Sequence, residues 1–105
     1  MVIIETSIFT RLIKELMDDN SYRDFQELLV QQPDAGDLIP GSGGLRKIRW
    51  KIEGGGKRGG LRIIYYWMAA DGQLWMLFGY AKASKEDLTK TQLKSLRDIV
   101  ERWKK

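Results

Sequence analysis

From Leu45 onward, apolar residues recur at every second position, and this period of two limits the segment to a β-strand with two different faces. Alternate side chains of a strand point to opposite sides of its sheet. Such a strand needs an apolar layer on one side and leaves its basic side to solvent or to an anionic ligand. The apolar side carries Ile48, Trp50 and Ile52, and the basic side carries Lys47, Arg49 and Lys51.

The next apolar segment is a candidate central strand. Leu61–Met68 reads LRIIYYWM, an almost continuous apolar run that is typical of a strand buried on both faces. A glycine-rich connection, residues 53–60, joins it to the preceding strand. The Asp71-Gly72 pair predicts a hairpin that leads to a further strand at residues 74–80.

The first third of the chain predicts one strand and two helices. Residues 2–6 are rich in β-branched side chains, which favours a short strand. Ser7 is the predicted cap of the helix that follows. A second helix is predicted from about Ser21, capped by Asn20 or Ser21, and it ends before Pro33.

Two further segments complete the prediction. Residues 33–44 read PDAGDLIPGSGG and are predicted to form a loop, because prolines and glycines disfavour regular structure. Thr89, with Gln92 three residues later, forms a capping box. The helix that follows has one apolar stripe, formed by Leu93, Leu96, Val100 and Trp103.

The predicted order β-α-α-β-β-β-α indicates a small α+β domain with a mainly antiparallel four-stranded sheet and helices packed on one face. A chain of 105 residues is expected to form one domain, residues 1–105. The start of the chain has neither a continuous apolar signal segment nor a membrane span, so a cytoplasmic protein is expected.

Cysteine and histidine are both absent from the sequence. Without them the chain cannot form disulfides, the usual zinc sites, or nucleophile systems that pair serine or cysteine with histidine. We therefore expect no cofactor and no metal. Any chemistry must use lysine, arginine, tyrosine or carboxylates.

The net charge of +4 is unevenly distributed along the chain. Residues 1–44 carry three basic and eight acidic residues (−5), residues 45–82 carry eight and two (+6), and residues 83–105 carry seven and four (+3). A positive middle segment is typical of a protein that binds a polyanion. Charge alone leaves RNA, DNA, an acidic protein and simple solubility as alternatives.

Three segments together resemble toxins of the RelE/HigB superfamily from bacterial type II toxin–antitoxin modules. They are GSGGLRKIRWKIEGGGKRGGLRIIYYWM at residues 41–68, the strand that ends in Tyr80-Ala81-Lys82, and DLTKTQLKSL at residues 87–96. The pattern GLRKxR…GKRGGxRxIYY is typical of the HigB-like branch.

The resemblance implies a ribosome-dependent mRNA endonuclease that enters the A site of the 70S ribosome, cuts the codon there and stops translation. It also implies a cognate antitoxin, often with a helix-turn-helix DNA-binding domain, that neutralises the toxin. Operator DNA would be contacted only through this antitoxin, and no membrane is involved.

The family pattern can be carried over to particular positions. Lys47 and Arg49 match the two basic positions on its second strand. Arg62 matches the arginine that opens the third strand, and Lys82 matches the lysine after the fourth. Arginine suits the stabilisation of a phosphorane-like transition state, because its planar fork binds two phosphate oxygens and stays charged. Arg62 is therefore the first candidate for this role.

Two positions depart from the family pattern. Where RelE has an arginine directly after the lysine, this chain has Ala83, and where RelE has a tyrosine a few residues on, it has approximately Leu88. The identity of the general base therefore stays open, with Tyr80 and Tyr66 as candidate substitutes.

The complete set of predicted site residues falls into two groups. The catalytic group rests on the family pattern and on Tyr80, and the RNA- or ribosome-binding group rests on positive charge and one aromatic ring. The catalytic candidates are Arg62, Lys47, Arg49, Lys82 and Tyr80; the binding candidates are Arg46, Lys51, Lys57, Arg58 and Tyr66.

Other interpretations of the same residues remain. The basic side of the first long strand is also compatible with a solvated strand face, Lys57 and Arg58 with a flexible hairpin tip, and Arg62 with a structural salt bridge. At the level of function, a non-catalytic module could bind RNA or the ribosome and block translation by occupancy. A DNA-binding regulator is disfavoured, because no predicted helix has the basic face of a recognition helix.

Overall fold

In the computed structural model of the chain, residues 1–52, 60–84 and 87–104 are described. Apart from Gly60, the predicted glycine-rich connection lies outside this part of the chain. None of the described helices is long and apolar enough to cross a membrane. The elements are β1 (Val2–Glu5), α1 (Ser7–Leu16), α2 (Asp19–Gln31), β2 (Asp37–Leu38), β3 (Leu45–Trp50), β4 (Leu61–Met68), a 3-10 turn (Ala69–Asp71), β5 (Gln73–Ala81) and α3 (Lys90–Lys104).

The strands form one sheet in the order β1-β5-β4-β3-β2. β1 runs parallel to β5, and the other pairs are antiparallel. The predicted α+β class with a mainly antiparallel sheet is confirmed, but the described sheet has five strands in place of four. The additional strand lies within the predicted loop at residues 33–44, where Asp37 pairs with Lys47 and Leu38 with Arg46. Composition did not reveal it, because two extended residues at a sheet edge need no apolar pattern.

The helices cover both faces of the sheet, so the prediction that they pack on one face is wrong. α1 and α2 bury Phe9 and Phe25 against one face, which includes Ile63 of β4. α3 buries Leu96 against the opposite face, which includes Ile64 of β4. The physical reason is β4 itself: neighbouring residues point to opposite faces, and both sets are apolar, so each face requires a cover.

The helix caps follow the predicted chemistry, with shifted positions at the first two helices. Thr6, not Ser7, caps α1, and its hydroxyl accepts a hydrogen bond from the Phe9 amide at 3.0 Å. Asp18, not Asn20 or Ser21, caps α2. The capping box is confirmed: the Thr89 hydroxyl accepts from the Gln92 amide, and the Gln92 side chain accepts from the Thr89 amide, both at 3.0 Å.

A buried tyrosine of β4 holds the segment that precedes β2. The Tyr65 hydroxyl donates to the Pro33 carbonyl at 2.7 Å and accepts from the Gly36 amide at 2.9 Å. A Cβ at Gly36 would lie 2.8 Å from the Tyr65 ring, so only glycine fits this close approach. The contact fixes the path of the chain between α2 and the basic strand β3.

We expect Tyr65→Phe to lower the free energy of unfolding by about 2 kcal/mol, because the buried Gly36 amide and the Pro33 carbonyl both lose their partner. Tyr66→Phe, which removes a hydroxyl from the neighbouring and partly exposed position, is the matched control and should change stability by less than about 0.5 kcal/mol. Urea unfolding measures both values. Equal losses in the two variants would contradict this role of Tyr65.

Candidate functional site

Two of the three basic residues of β3, Lys47 and Arg49, lie on the side of the sheet that α3 covers, which we call the α3 face. Ile48 is buried in the core beneath α1 and α2, and Trp50 packs against the same core. Since side chains alternate along a strand, Lys47 and Arg49 point to the opposite face. The contact of Lys47 with Asp87, on the segment leading into α3, agrees with this orientation.

Three side chains of the α3 face stand in register across adjacent strands, and we call them the arginine row. Arg49 of β3 pairs with Arg62 of β4, and Arg62 pairs with Tyr80 of β5. Arg49 is exposed, whereas 7% of Arg62 and 5% of Tyr80 remain accessible. The row thus runs from the exposed Arg49 on β3 to the buried Tyr80 on β5. A cleft at this end of the sheet is lined by Arg49, Trp50, Lys51 and Arg62.

The guanidinium of Arg62 is held in place by its surroundings. Its Nη1 donates to the Leu61 carbonyl at 3.2 Å. Burial leaves a long side chain few alternative rotamers, so the group is aimed in a defined direction. The direct neighbour across the ladder is Arg49, another cation. Like charges directly opposite one another destabilise a sheet, and an anion bound between them would remove that repulsion.

The hydroxyl of Tyr80 is buried and has no hydrogen-bond partner among the described residues. Burial raises the pKa of Tyr80, and the charge of Asp87 raises it further, while Arg62 lowers it. The pKa of Tyr80 is raised overall, so the phenol stays protonated at neutral pH. In that form Tyr80 can donate a hydrogen bond to a ligand, but it cannot serve as a phenolate base.

Two lysines border the arginine row. Lys47 Nζ lies 3.2 Å from an Asp87 carboxylate oxygen, and the two side chains are 29% and 72% exposed. Lys82 follows β5 directly, is exposed, and donates its backbone amide to the Gly60 carbonyl at 3.1 Å. The structure therefore brings most of the predicted catalytic residues to one end of the α3 face.

Several predicted binding residues lie elsewhere. Arg46 points to the other face, where its Nη1 donates to the Gly36 and Asp34 carbonyls at 2.8 and 3.2 Å. Tyr66 lies four residues along β4 from Arg62, with its ring centroid 4.8 Å from Lys104 Nζ at the end of α3. Both contacts serve the fold. Lys51 lines the cleft, and the predicted contacts of Lys57 and Arg58 lie outside the described residues.

The segment between β5 and α3 holds the two departures from the family pattern and one residue that sequence reasoning missed. Ala83 is exposed, and Leu88 packs against the core of the α3 face. Neither offers a polar group to the cleft. Asp87 does offer a polar group to the neighbouring residues, since it contacts Lys47 and its charge acts on Tyr80. The sequence feature that could have indicated Asp87 is an acidic residue just before a capped helix, within a segment that resembles the family.

Comparison with known proteins yields a family and a fold. A family model described as the RelE toxin of the RelE/RelB toxin–antitoxin system matches residues 1–105. The fold of an E. coli RelE double arginine-to-alanine mutant in the free state matches with a TM-score of 0.54, at 16% sequence identity, covering 96% of this chain and 95% of that one.

Two further structures give a similar result. The isolated E. coli RelE toxin matches with a TM-score of 0.55 at 12% identity, covering 93% of this chain and 97% of that one. The toxin–antitoxin complex RelBE of E. coli contains a chain that matches with a TM-score of 0.55 at 13% identity, covering 76% of this chain and 94% of that one. At such identities the likeness shows the fold alone.

We expect Tyr80→Phe to leave the free energy of unfolding at neutral pH unchanged or slightly increased, because the variant removes a buried hydroxyl without a described partner. The folded pKa of Tyr80 is raised, so its contribution to stability is present below the ordinary value of 10.0 and is lost as pH rises through the folded value. The variant should therefore lose less stability in alkali.

Urea unfolding at neutral pH and at about pH 11 tests this expectation. Some alkaline loss will persist in the variant, since burial also raises the pKa values of Tyr22 and Tyr65. A marked destabilisation of Tyr80→Phe at neutral pH would contradict the assignment, because it would reveal a partner for the hydroxyl.

Proposed function

This chain belongs to the RelE toxin family of type II toxin–antitoxin systems, and from that premise we propose that it is an mRNA endonuclease that acts on the ribosome. It cuts the codon in the A site through attack by the RNA 2′-hydroxyl and thereby inhibits translation. The proposal includes the HigB-like branch, a cytoplasmic location, and a cognate antitoxin whose helix-turn-helix domain binds operator DNA.

The arginine row is the observation that carries this proposal. Arg49 and Arg62 face one another on adjacent strands, and Lys47 and Lys51 lie on the same face. Guanidinium groups bind phosphate oxygens in pairs, so this arrangement is suited to bind a phosphodiester. Arg49 and Lys51, which line the cleft beside the row, are exposed and accessible to an extended single strand.

The reaction makes three demands, and the row addresses one of them directly. The 2′-hydroxyl must lose a proton, the additional negative charge on the phosphate must be stabilised, and the departing 5′-oxygen must gain a proton. Arg62 is buried and aimed, so it is suited to hold the non-bridging oxygens as charge develops. Arg49, exposed on the adjacent strand, supplies further donors beside it.

The exposure of the site supports dependence on the ribosome. The outer member of the row, Arg49, is exposed. Such a surface binds phosphate but does not by itself hold the 2′-oxygen in line with the leaving oxygen. Alignment of the reacting groups is worth several kcal/mol in catalysis. We propose that the decoding site supplies this alignment by fixing the codon.

We expect purified toxin to leave naked mRNA intact and to cut the same mRNA within the A-site codon of programmed ribosomes. Primer extension locates the new 3′ ends, and a ribosome with an occupied A site is the control. Efficient cutting of free mRNA at equal toxin concentration would disprove ribosome dependence. Arrest of translation without any new 3′ end would instead establish the non-catalytic alternative, in which the domain blocks the ribosome by occupancy.

We expect Arg62→Lys to reduce the single-turnover cleavage rate on saturating ribosomes by about 10²-fold or more, because lysine keeps the charge but loses the planar fork. Arg11→Lys is the matched control: Arg11 is exposed on α1, which covers the other face of the sheet, and the rate should not change. Thermal unfolding followed by circular dichroism checks that both variants fold. A normal rate in Arg62→Lys would assign Arg62 a general electrostatic or structural role.

A further inference from the structure

Asp87 is an acidic residue in contact with the basic end of the α3 face. It lies in the connection between β5 and α3, two residues before the Thr89 cap. One carboxylate oxygen, Oδ1, accepts from Lys47 Nζ and from the Leu88 amide, each at 3.2 Å. The side chain is 72% exposed, so the carboxylate is accessible to a ligand.

Interactions with residues of two strands locate this carboxylate. Asp87 contacts Lys47 on β3, and its charge acts on Tyr80 on β5. These strands flank β4, and neighbouring strands are about 4.8 Å apart. The carboxylate therefore lies beside Lys47, two residues along β3 from Arg49, and near enough to the row for its charge to act on Tyr80. A phosphate held by the arginine row would have this carboxylate nearby.

Among the described residues of the row and its two bordering lysines, none is a proton acceptor at neutral pH. Lysine and arginine side chains are cations at neutral pH, and Tyr80 is held protonated by its burial. Among the described residues around the row, Asp87 presents an anionic oxygen that can take up a proton.

We propose that Asp87 is a further catalytic residue, the general base that accepts the proton of the attacking 2′-hydroxyl. The inference rests on the proposed endonuclease function and deepens it. The 2′-hydroxyl proton passes to the Asp87 carboxylate as the 2′-oxygen forms a bond to phosphorus. The bond between phosphorus and the 5′-oxygen breaks, and the 5′-oxygen takes a proton from a lysine ammonium or from water.

The products of this step are a 2′,3′-cyclic phosphate and a free 5′-hydroxyl, and no oxidant or metal is consumed. Afterwards the protonated Asp87 returns its proton to solvent, to which the side chain is open. Lys47 has a separate part in this scheme. In the free protein it pairs with Asp87, and when RNA binds, a phosphate oxygen can replace the carboxylate as its partner.

The test measures single-turnover cleavage on saturating programmed ribosomes. Asp87→Asn keeps the size and hydrogen-bonding capacity of the side chain but cannot accept a proton, so the rate should fall by roughly 10² to 10⁴-fold while ribosome binding stays within about twofold. Asp87→Glu should recover part of the rate. Asp98→Asn is the matched control, because Asp98 is an exposed carboxylate on α3 that pairs with Lys94 at 3.0 Å; its rate should equal that of the wild type.

Two further experiments distinguish a general base from a residue that only positions Lys47. In a Lys47→Met background, Asp87→Asn should still lower the rate, because the base acts on the substrate and not through Lys47. With an mRNA in which sulfur replaces the bridging 5′-oxygen, the leaving group needs no proton. The defect of Asp87→Asn should persist with this substrate.

The outcomes are distinct. A normal rate in Asp87→Asn, a loss confined to binding, disappearance of the effect without Lys47, or rescue by the sulfur leaving group would each overturn the base assignment. Failure of the wild-type protein to cut programmed ribosomes would overturn the proposed function itself, so the two failures cannot be confused. Circular dichroism confirms that each variant is folded before its rate is compared.

Discussion

The burial of β4 on both faces is the constraint on which the rest of the structure depends. Neighbouring residues such as Ile63 and Ile64 point into separate cores, one beneath α1 and α2 and the other beneath α3. Apolar burial stabilises by about 25 cal/mol per Å², so neither face of such a strand can remain open to water. This requirement places α3 opposite the other helices and gives the sheet two covered faces. It also surrounds Arg62 with core residues, so packing decides where its guanidinium points.

The site is built from charges that the fold places close together. Arg49 and Arg62 are directly opposed on paired strands, and like charges in this arrangement destabilise a sheet. Lys47 has a carboxylate partner in Asp87, but this pair is partly exposed, and such pairs contribute at most about 1 kcal/mol. A weak pair can exchange its carboxylate for a phosphate at little cost. Under the proposed function, the same geometry would provide phosphate recognition and a carboxylate near the bound phosphate.

Membership of the RelE family and likeness of fold do not by themselves identify the reacting groups, since fold and function are separable. Identities of 12 to 16% to the solved RelE structures leave each side chain to be judged on its own surroundings. Ala83 and Leu88 stand where the family pattern has an arginine and a tyrosine, and Leu88 belongs to the apolar core. Under the proposed function the acid–base groups lie at other positions, and Asp87 is adjacent to one of the departures.

The sequence by itself determined the features that repeat at short range. The period of two in β3, the apolar run of β4 and the capping box before α3 each follow from local preferences, and the structure agrees with them. The faces of Lys47 and Arg49 also followed from alternation alone. What only the tertiary structure decided depends on contacts between distant residues. The edge strand β2, the placement of α3, the turn of Arg46 toward the Gly36 carbonyl and the meeting of Asp87 with Lys47 belong to this group. Local sequence patterns do not identify such pairs, because strand register and the face that each helix covers determine which residues meet.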